Sequence, residues 1–369
     1  MRLIHTLFGV LLLLLVVGSI LRTLVVPRGL YSALVHRLWW VLRTVLRLWA
    51  APFGTYRAQD RALTWLAPLV LLGMLGIWLS GMMLAYTLLL HGSSDLSWSV
   101  SLREAGSSLF TLGYASGERL QLSAIDFLAA GSGPLVIALQ IAYLPTLYAA
   151  YQRRETEVTL LQSRAGEPAW GPELLARQSL VDTQTALPQL YRDWERLAAD
   201  IGESHSNYPV LLSFRSPQPN RSWVVGLIAV MDAAALHLAL CPRSAPPEAR
   251  LVIRAGFTAM RDIGRSLRVD FDTDPDPDTP IRLTYAEYLG AVAMITAAGF
   301  AHERPVEEAW RHFRGWRVNY EALAYELARR SDAVPTLWTG PRDFHAPVIP
   351  PARPTDRRPD NSRPTLPPA

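Results

Sequence analysis

Residues 107–117 read SSLFTLGYASG, and five of them form a short loop pattern that can do chemistry through its main chain: Thr111, Leu112, Gly113, Tyr114 and Ala115. The carbonyl oxygens of a glycine-containing loop can replace the hydration shell of a cation. Irregular backbone of this kind is tolerated at membrane depth only where it lines a water-filled cavity. The segment therefore predicts coordination of a dehydrated cation by the main chain.

Two uncharged stretches flank this loop, Ala62–Leu90 and Phe127–Gln152. Each is longer than the about 20 apolar residues that cross the hydrocarbon core of a bilayer. A third candidate is Leu3–Leu21, in which His5 is the only titratable side chain. A cleaved secretory signal is the alternative for this third stretch, but its basic residues would then precede the apolar core. Here they follow it, so we predict a membrane helix over residues 1–26.

The arginines that follow the first stretch predict the orientation of the chain, because short loops rich in basic residues stay in the cytoplasm. Residues 22–61 are then inside, the loop 91–122 faces out, and the chain returns to the cytoplasm at Arg153 and Arg154. We therefore expect a multi-pass protein of the plasma membrane with a cytoplasmic C-terminal domain. The net charge of +4 arises mostly from arginines near the membrane. It predicts contact with anionic lipids near residues 28–61, and not with nucleic acid.

Within the predicted interfacial region 27–61, the segment Leu30–Ala50 has the pattern of an amphipathic helix. Helical spacing places His36, Arg43 and Arg47 on one side, opposite Leu38, Trp39, Leu42, Leu46 and Trp49. A basic face opposite a Trp/Leu face favours a helix that lies along the membrane surface. A helical hairpin inside a larger membrane bundle is the alternative.

A short helix is predicted immediately before the loop. Ser101 and Glu104 have the spacing of a capping box, which starts a helix near Leu102 that runs to Phe110. The C-terminal end of this helix points at residues 111–115, and the negative end of a helix dipole favours a cation there.

Residues 62–155 resemble the pore module of the potassium-channel superfamily: outer helix 62–90, pore helix 101–110, filter 111–116 and inner helix 123–152. The filter pattern of that family is Thr-Val-Gly-Tyr-Gly, commonly followed by Asp. Thr111, Gly113 and Tyr114 match it, Leu112 is a conservative change, and Ala115 and Ser116 depart from it. The resemblance implies an all-α homotetramer that conducts potassium passively through carbonyl oxygens and the Thr111 hydroxyl. We expect Ala115 to distort the outer coordination site, since a left-handed alanine costs on the order of 1 kcal/mol.

The predicted inner helix contains Gly131, Gly133, Pro134 and Pro145. In the resembling channels such residues act as the hinge and the bend of gating, although glycine and proline are frequent in membrane helices in any case. The competing function is a non-conducting scaffold or sensor that keeps the pore fold and acts through its cytoplasmic domain.

The remainder of the chain predicts a helical cytoplasmic domain over 156–345 and a disordered, Pro/Arg-rich tail over 346–369. Trp223–Leu240 is apolar enough for a fourth span, but Asp232 at its centre favours a core helix. The alternating aspartates from Asp270 to Asp278 predict a solvated acidic loop; calcium binding is the alternative.

The single Cys241 excludes an intrachain disulfide. No catalytic or nucleotide-binding motif is present, so we expect neither an enzyme nor a cofactor, and the partner of the domain stays open.

Overall fold

The computed structural model describes residues 1–26, 33–115 and 120–353. Regular structure in these ranges is helical, with one isolated bridge between Glu167 and Ala352, so the all-α prediction is confirmed there. Within the described ranges, four helical stretches are long and apolar enough to cross a membrane: Arg2–Val25, Tyr56–Ser93, Leu122–Ala165 and Trp223–Leu240. They indicate a membrane protein. Arg28, Ser116 and the tail from residue 354 onward lie outside the described residues.

The chain divides into two compact units. Unit 1 contains Met1–Leu46 and Trp65–Ala149, and unit 2 contains Arg47–Thr64 and Ala150–Ala369. The helices up to residue 165 are α1 (Arg2–Ile20, followed by a π-helical turn Leu21–Val25), α2 (Ala33–Ala50), α3 (Tyr56–Leu63), α4 (Leu66–Ser93), α5 (Trp98–Leu109) and α6 (Leu120–Ala165). These units do not follow the predicted boundaries, because residues 47–64 and 150–155 pack with the C-terminal part of the chain.

In unit 1, α1 and α4 pack antiparallel. The Trp78 indole donates a hydrogen bond to Ser19 Oγ at 3.1 Å, and Arg2 forms an ion pair with Asp95. At Gly9 an added Cβ would lie 3.0 Å from the Ala85 carbonyl oxygen, so the missing side chain permits close approach of the two helices. The N-terminus of α1 therefore lies at the same end of unit 1 as the turn that follows α4.

The face assignment predicted for α2 is wrong for Trp39. His36 stacks on Trp39 with ring centroids 5.9 Å apart, and the Arg43 guanidinium lies 5.2 Å from the same ring. Residues separated by three and four positions share one face of a helix, so Trp39 belongs to the basic side. Leu38 packs against α4, where an added Cβ at Gly73 would lie 3.0 Å from its side chain. The first part of α2 is thus a packed element of unit 1.

The helices of unit 2 after α6 are α7 (Gly171–Leu180), α8 (Leu187–Asn207), α9 (Trp223–Leu240), α10 (Pro247–Ser266), α11 (Tyr285–Ala297), α12 (Val306–Arg317) and α13 (Glu321–Arg330). All residues of α9 are buried, which agrees with the predicted core helix. Its Asp232 forms an ion pair with Arg317 and accepts a hydrogen bond from the Tyr320 hydroxyl at 2.7 Å. A carboxylate in an apolar helix is thereby compensated inside the protein.

The acidic segment between α10 and α11 is a surface loop. Asp270, Asp272, Asp274, Asp276 and Asp278 are all exposed. Within the described ranges no group of three or more His, Cys, Asp or Glu side chains is arranged to hold a metal ion. The loop agrees with the predicted solvated segment.

Candidate functional site

The helix before the loop is present, but it starts earlier than predicted. α5 begins at Trp98, and Ser97 is its N-cap, whose Oγ accepts a hydrogen bond from the Val100 amide at 3.4 Å. Ser101 lies inside the helix and is fully buried, so the predicted capping box at Ser101 and Glu104 is wrong. Ser97 stands one turn earlier and supplies the acceptor that the first free amides need. The C-terminal end at Leu109 leads directly into Thr111.

The amide groups of the loop are tied back to the last turn of α5. The Leu112 amide donates to the Ser107 carbonyl at 2.7 Å, and the Thr111 amide donates to the Ser108 carbonyl at 3.0 Å. The Ser107 hydroxyl accepts two further hydrogen bonds, from the amides of Tyr114 at 3.1 Å and Ala115 at 3.0 Å. The buried Ser107 thus holds three loop amides through its carbonyl and its hydroxyl, and Ser108 holds a fourth.

The carbonyl groups of the same loop differ from its amides in having no donor within the described part of the chain. No described residue donates a hydrogen bond to the carbonyl oxygens of Thr111, Leu112, Gly113 or Tyr114. The Thr111 hydroxyl donates to the Phe110 carbonyl at 2.8 Å, which leaves its oxygen lone pairs available. Main-chain acceptors normally find a donor when they leave water. This loop therefore presents a run of acceptors that a cation can satisfy.

Backbone strain lies at Thr111 and not at Ala115. Thr111 has φ +55° and Gly113 has φ +74°, whereas Ala115 is not among the residues with positive φ. The expectation that Ala115 adopts a left-handed conformation is therefore wrong in this chain. Glycine adopts positive φ readily, but a threonine there costs about 1–2 kcal/mol. Strained residues of this kind cluster at functional sites.

Acidic side chains accompany the end of α5. Asp126 on α6 accepts a hydrogen bond from the Ser108 hydroxyl at 2.6 Å, and its charge acts on the buried Glu104. Two carboxyl groups and the negative end of the α5 dipole make this region favourable for a cation. Ser107 and Asp126 were given no role from the sequence. The sequence offered one signal for each. Ser107 is one of two serines in the last turn before a glycine-containing loop, and Asp126 is a charge at the start of an apolar helix.

The predicted gating residues all lie within α6, which continues as one helix through Gly131, Gly133, Pro134 and Pro145. Each proline removes one intrahelical hydrogen bond without ending the helix. At Gly133 an added Cβ would lie 2.0 Å from the Leu109 carbonyl oxygen, whereas at Gly131 it would meet nothing within 4 Å. Gly133 therefore permits close packing of α6 against the end of α5. Gly131 has no such packing role, so of these two glycines it is the one whose role can be that of a hinge.

Hydrogen bonds also connect α4 with α6. The Tyr86 hydroxyl lies 3.0 Å from Ser132 Oγ and donates to the Leu128 carbonyl at 3.3 Å. These contacts position α6 beside the helix that corresponds to the predicted outer helix. The loop is thus held by α5, and α6 contacts both the end of α5, through Asp126 and Gly133, and α4.

Comparison of the chain with protein-family models, with characterised proteins and with solved structures finds no match.

Proposed function

We propose that this chain is the subunit of a homotetrameric channel of the plasma membrane that conducts potassium ions passively, with residues 153–369 in the cytoplasm. One observation carries the proposal: Ser107 accepts hydrogen bonds from the amides of Leu112, Tyr114 and Ala115, while the carbonyl oxygens of Thr111, Leu112, Gly113 and Tyr114 have no donor among the described residues. Rings of such carbonyl groups can coordinate dehydrated potassium.

Exposed apolar side chains at the loop support an assembly of several copies. In the single chain, 61% of Leu112 and 57% of Tyr114, both in the loop itself, are exposed to solvent. Clusters of exposed apolar residues mark surfaces that another chain covers. Fourfold symmetry would bring four loops around one axis, and each loop would contribute its carbonyl oxygens to the same ion path.

A flux assay tests this function. Full-length protein reconstituted in liposomes should release potassium down its gradient, and native mass measurement in mild detergent should give a tetramer. Gly113→Val should abolish the flux, because valine at φ +74° would add a second strained β-branched residue to a loop in which Thr111 already has φ +55°. Ser107→Ala should reduce the flux at least about tenfold, because two loop amides lose their acceptor at a cost of roughly 1–3 kcal/mol each.

Ala115→Gly is the matched control, since Ala115 carries no left-handed strain to relieve. Its ratio of potassium to sodium permeability, measured as a bi-ionic potential in planar bilayers, should equal that of the natural chain. If no ion crosses the membrane with the natural sequence, or if Gly113→Val still conducts, the loop is not an ion path. The scaffold function, in which unit 2 acts on a partner, would then replace the channel.

A further inference from the structure

An open cavity of about 610 Å³ lies in unit 1 between α1, the first part of α2 and α4. Its walls are mainly apolar and include Leu14, Val41 and Ile77. Leu14 is 64% exposed and Val41 is 49% exposed, so the apolar wall is not covered by the rest of the described chain. Gly18 lies in the same wall, and an added Cβ there would meet nothing within 4 Å.

Two arginines line the same cavity, Arg22 from the π-helical turn after α1 and Arg37 from α2. Both side chains are exposed, and within the described residues neither guanidinium takes part in a hydrogen bond or an ion pair. This contrasts with Arg2 at the other end of α1, which pairs with Asp95. An arginine near the hydrocarbon region is costly unless an acceptor compensates it, and phosphate oxygens match its planar donor geometry.

A long apolar wall and two guanidinium groups that have no partner among the described residues together determine which ligand fits. A peptide segment would leave main-chain polar groups against the apolar wall, and a free phosphate would leave that wall uncovered. We propose that the cavity binds one diacyl phospholipid with a net negative headgroup. Its phosphate lies between Arg22 and Arg37, and an acyl chain follows the wall formed by Leu14, Gly18 and Val41. This site does not depend on conduction through the 111–115 loop.

Lipid retention by the purified, full-length protein tests the site. After delipidation in detergent, the protein is titrated with dioleoyl phosphatidylglycerol or dioleoyl phosphatidylcholine, and bound lipid per chain is measured by native mass spectrometry. Phosphatidylglycerol should bind in preference to phosphatidylcholine. Arg22→Ala/Arg37→Ala should weaken phosphatidylglycerol binding at least about tenfold. The attraction between one arginine and an anionic lipid changes the affinity by roughly fivefold, and the double variant loses two such attractions.

The control is Arg57→Ala/Arg61→Ala, which removes the same charge from two exposed arginines of α3 outside the cavity. It should leave binding within about twofold of the natural protein. Gly18→Leu should also weaken binding, because it fills the apolar wall without changing charge, whereas Gly76→Leu on the exposed surface of α4 should not.

Glycerol phosphate, which has the headgroup chemistry without acyl chains, should not displace the lipid at equal concentration. Equal loss of binding in both arginine pairs would show a general charge effect and overturn the site. Displacement by glycerol phosphate or unchanged binding in Gly18→Leu would overturn it as well.

Discussion

At the scale of single residues, Arg154 shows how unit 2 accommodates a buried charge. Its side chain has no exposed surface, and it donates hydrogen bonds to His205 Nε2 at 2.9 Å and to the carbonyls of Leu211 at 3.1 Å and Phe214 at 2.7 Å. A guanidinium only donates, so His205 Nε2 must carry a lone pair. Burial, and next the charge of Arg154, lower the pKa of His205 well below its usual value.

The low pKa of His205 predicts a loss of stability in mild acid. The unfolded chain takes up a proton at this residue below about pH 6.5, and the folded chain does so only at lower pH. The free energy of unfolding should therefore fall with decreasing pH from about 6.5 downward, by up to about 1.4 kcal/mol per pH unit from this group. Thermal unfolding of the detergent-solubilised protein, followed from pH 8 to pH 5, measures this dependence.

His205→Gln isolates the contribution of His205 from that of the carboxylates. Glutamine offers an acceptor to Arg154 and does not titrate, so the difference between the two chains should grow in favour of the variant as pH falls below about 6.5. If the free energy of unfolding changes with pH equally in both chains over this range, His205 is not the source of the pH dependence.

Arg154 also shows where the sequence stops being informative about a site. In the sequence, Arg154 is one of the charges that follow the uncharged stretch 127–152. Its burial depends on His205 and Phe214, which are 51 and 60 positions away, and no local pattern predicts such pairing. The same holds for Ser107, whose role follows from the path of the loop and not from its residue type.

At the scale of helices, periodicity and charge predicted most elements, and local capping chemistry predicted their ends poorly. The outer helix was placed at 62–90 and is found at 66–93; the inner helix was placed at 123–152 and extends over 120–165. α6 continues until Gly166, which adopts φ +83°. Charged residues after 152 do not end a helix, whereas a left-handed glycine does. The apolar pattern therefore predicts the membrane-spanning part of α6, whereas the remainder of α6 after residue 149 belongs to unit 2.

The two glycines of α6 permit a direct test of hinge against packing. Gly133→Ala should destabilise the protein, because its Cβ would collide with the Leu109 carbonyl and displace the end of α5. Overpacking of this kind costs typically about 1–3 kcal/mol. Gly131→Ala should instead raise stability by up to about 1 kcal/mol, since alanine is the better helix former and has open space. Thermal unfolding midpoints of the two variants, compared with the natural chain, measure both effects.

The flux assay then separates structure from gating. If Gly131 is a hinge, Gly131→Ala should alter potassium release although its stability is kept or raised. If Gly133→Ala is as stable as Gly131→Ala, the close approach of α6 to Leu109 does not exist in solution.

At the scale of the whole molecule, unit 2 contains the two chain segments that are continuous with the helices of unit 1. These are residues 47–64, which precede α4, and residues 150–165, which end α6. The first segment was predicted as part of an interfacial region, but it packs inside unit 2. Arg215 forms an ion pair with Asp60 and donates to the Tyr56 hydroxyl at 2.7 Å and to the Asp332 carbonyl at 2.9 Å. Both segments therefore belong to the same compact unit.

The Asp60–Arg215 pair predicts how strongly the segment before α4 is held. Asp60 is 8% exposed, so Asp60→Asn would remove the carboxylate that forms the ion pair with the buried Arg215 guanidinium. Breaking one side of a buried pair typically costs about 3–5 kcal/mol. Asp200→Asn is the matched control, because Asp200 pairs with the largely exposed Arg153 and such pairs contribute about 0–1 kcal/mol. Denaturant unfolding followed by tryptophan fluorescence should show a large shift for the first variant and almost none for the second. Equal shifts would mean that residues 47–64 are not anchored to unit 2 through Arg215, and that this domain does not restrain the chain entering α4.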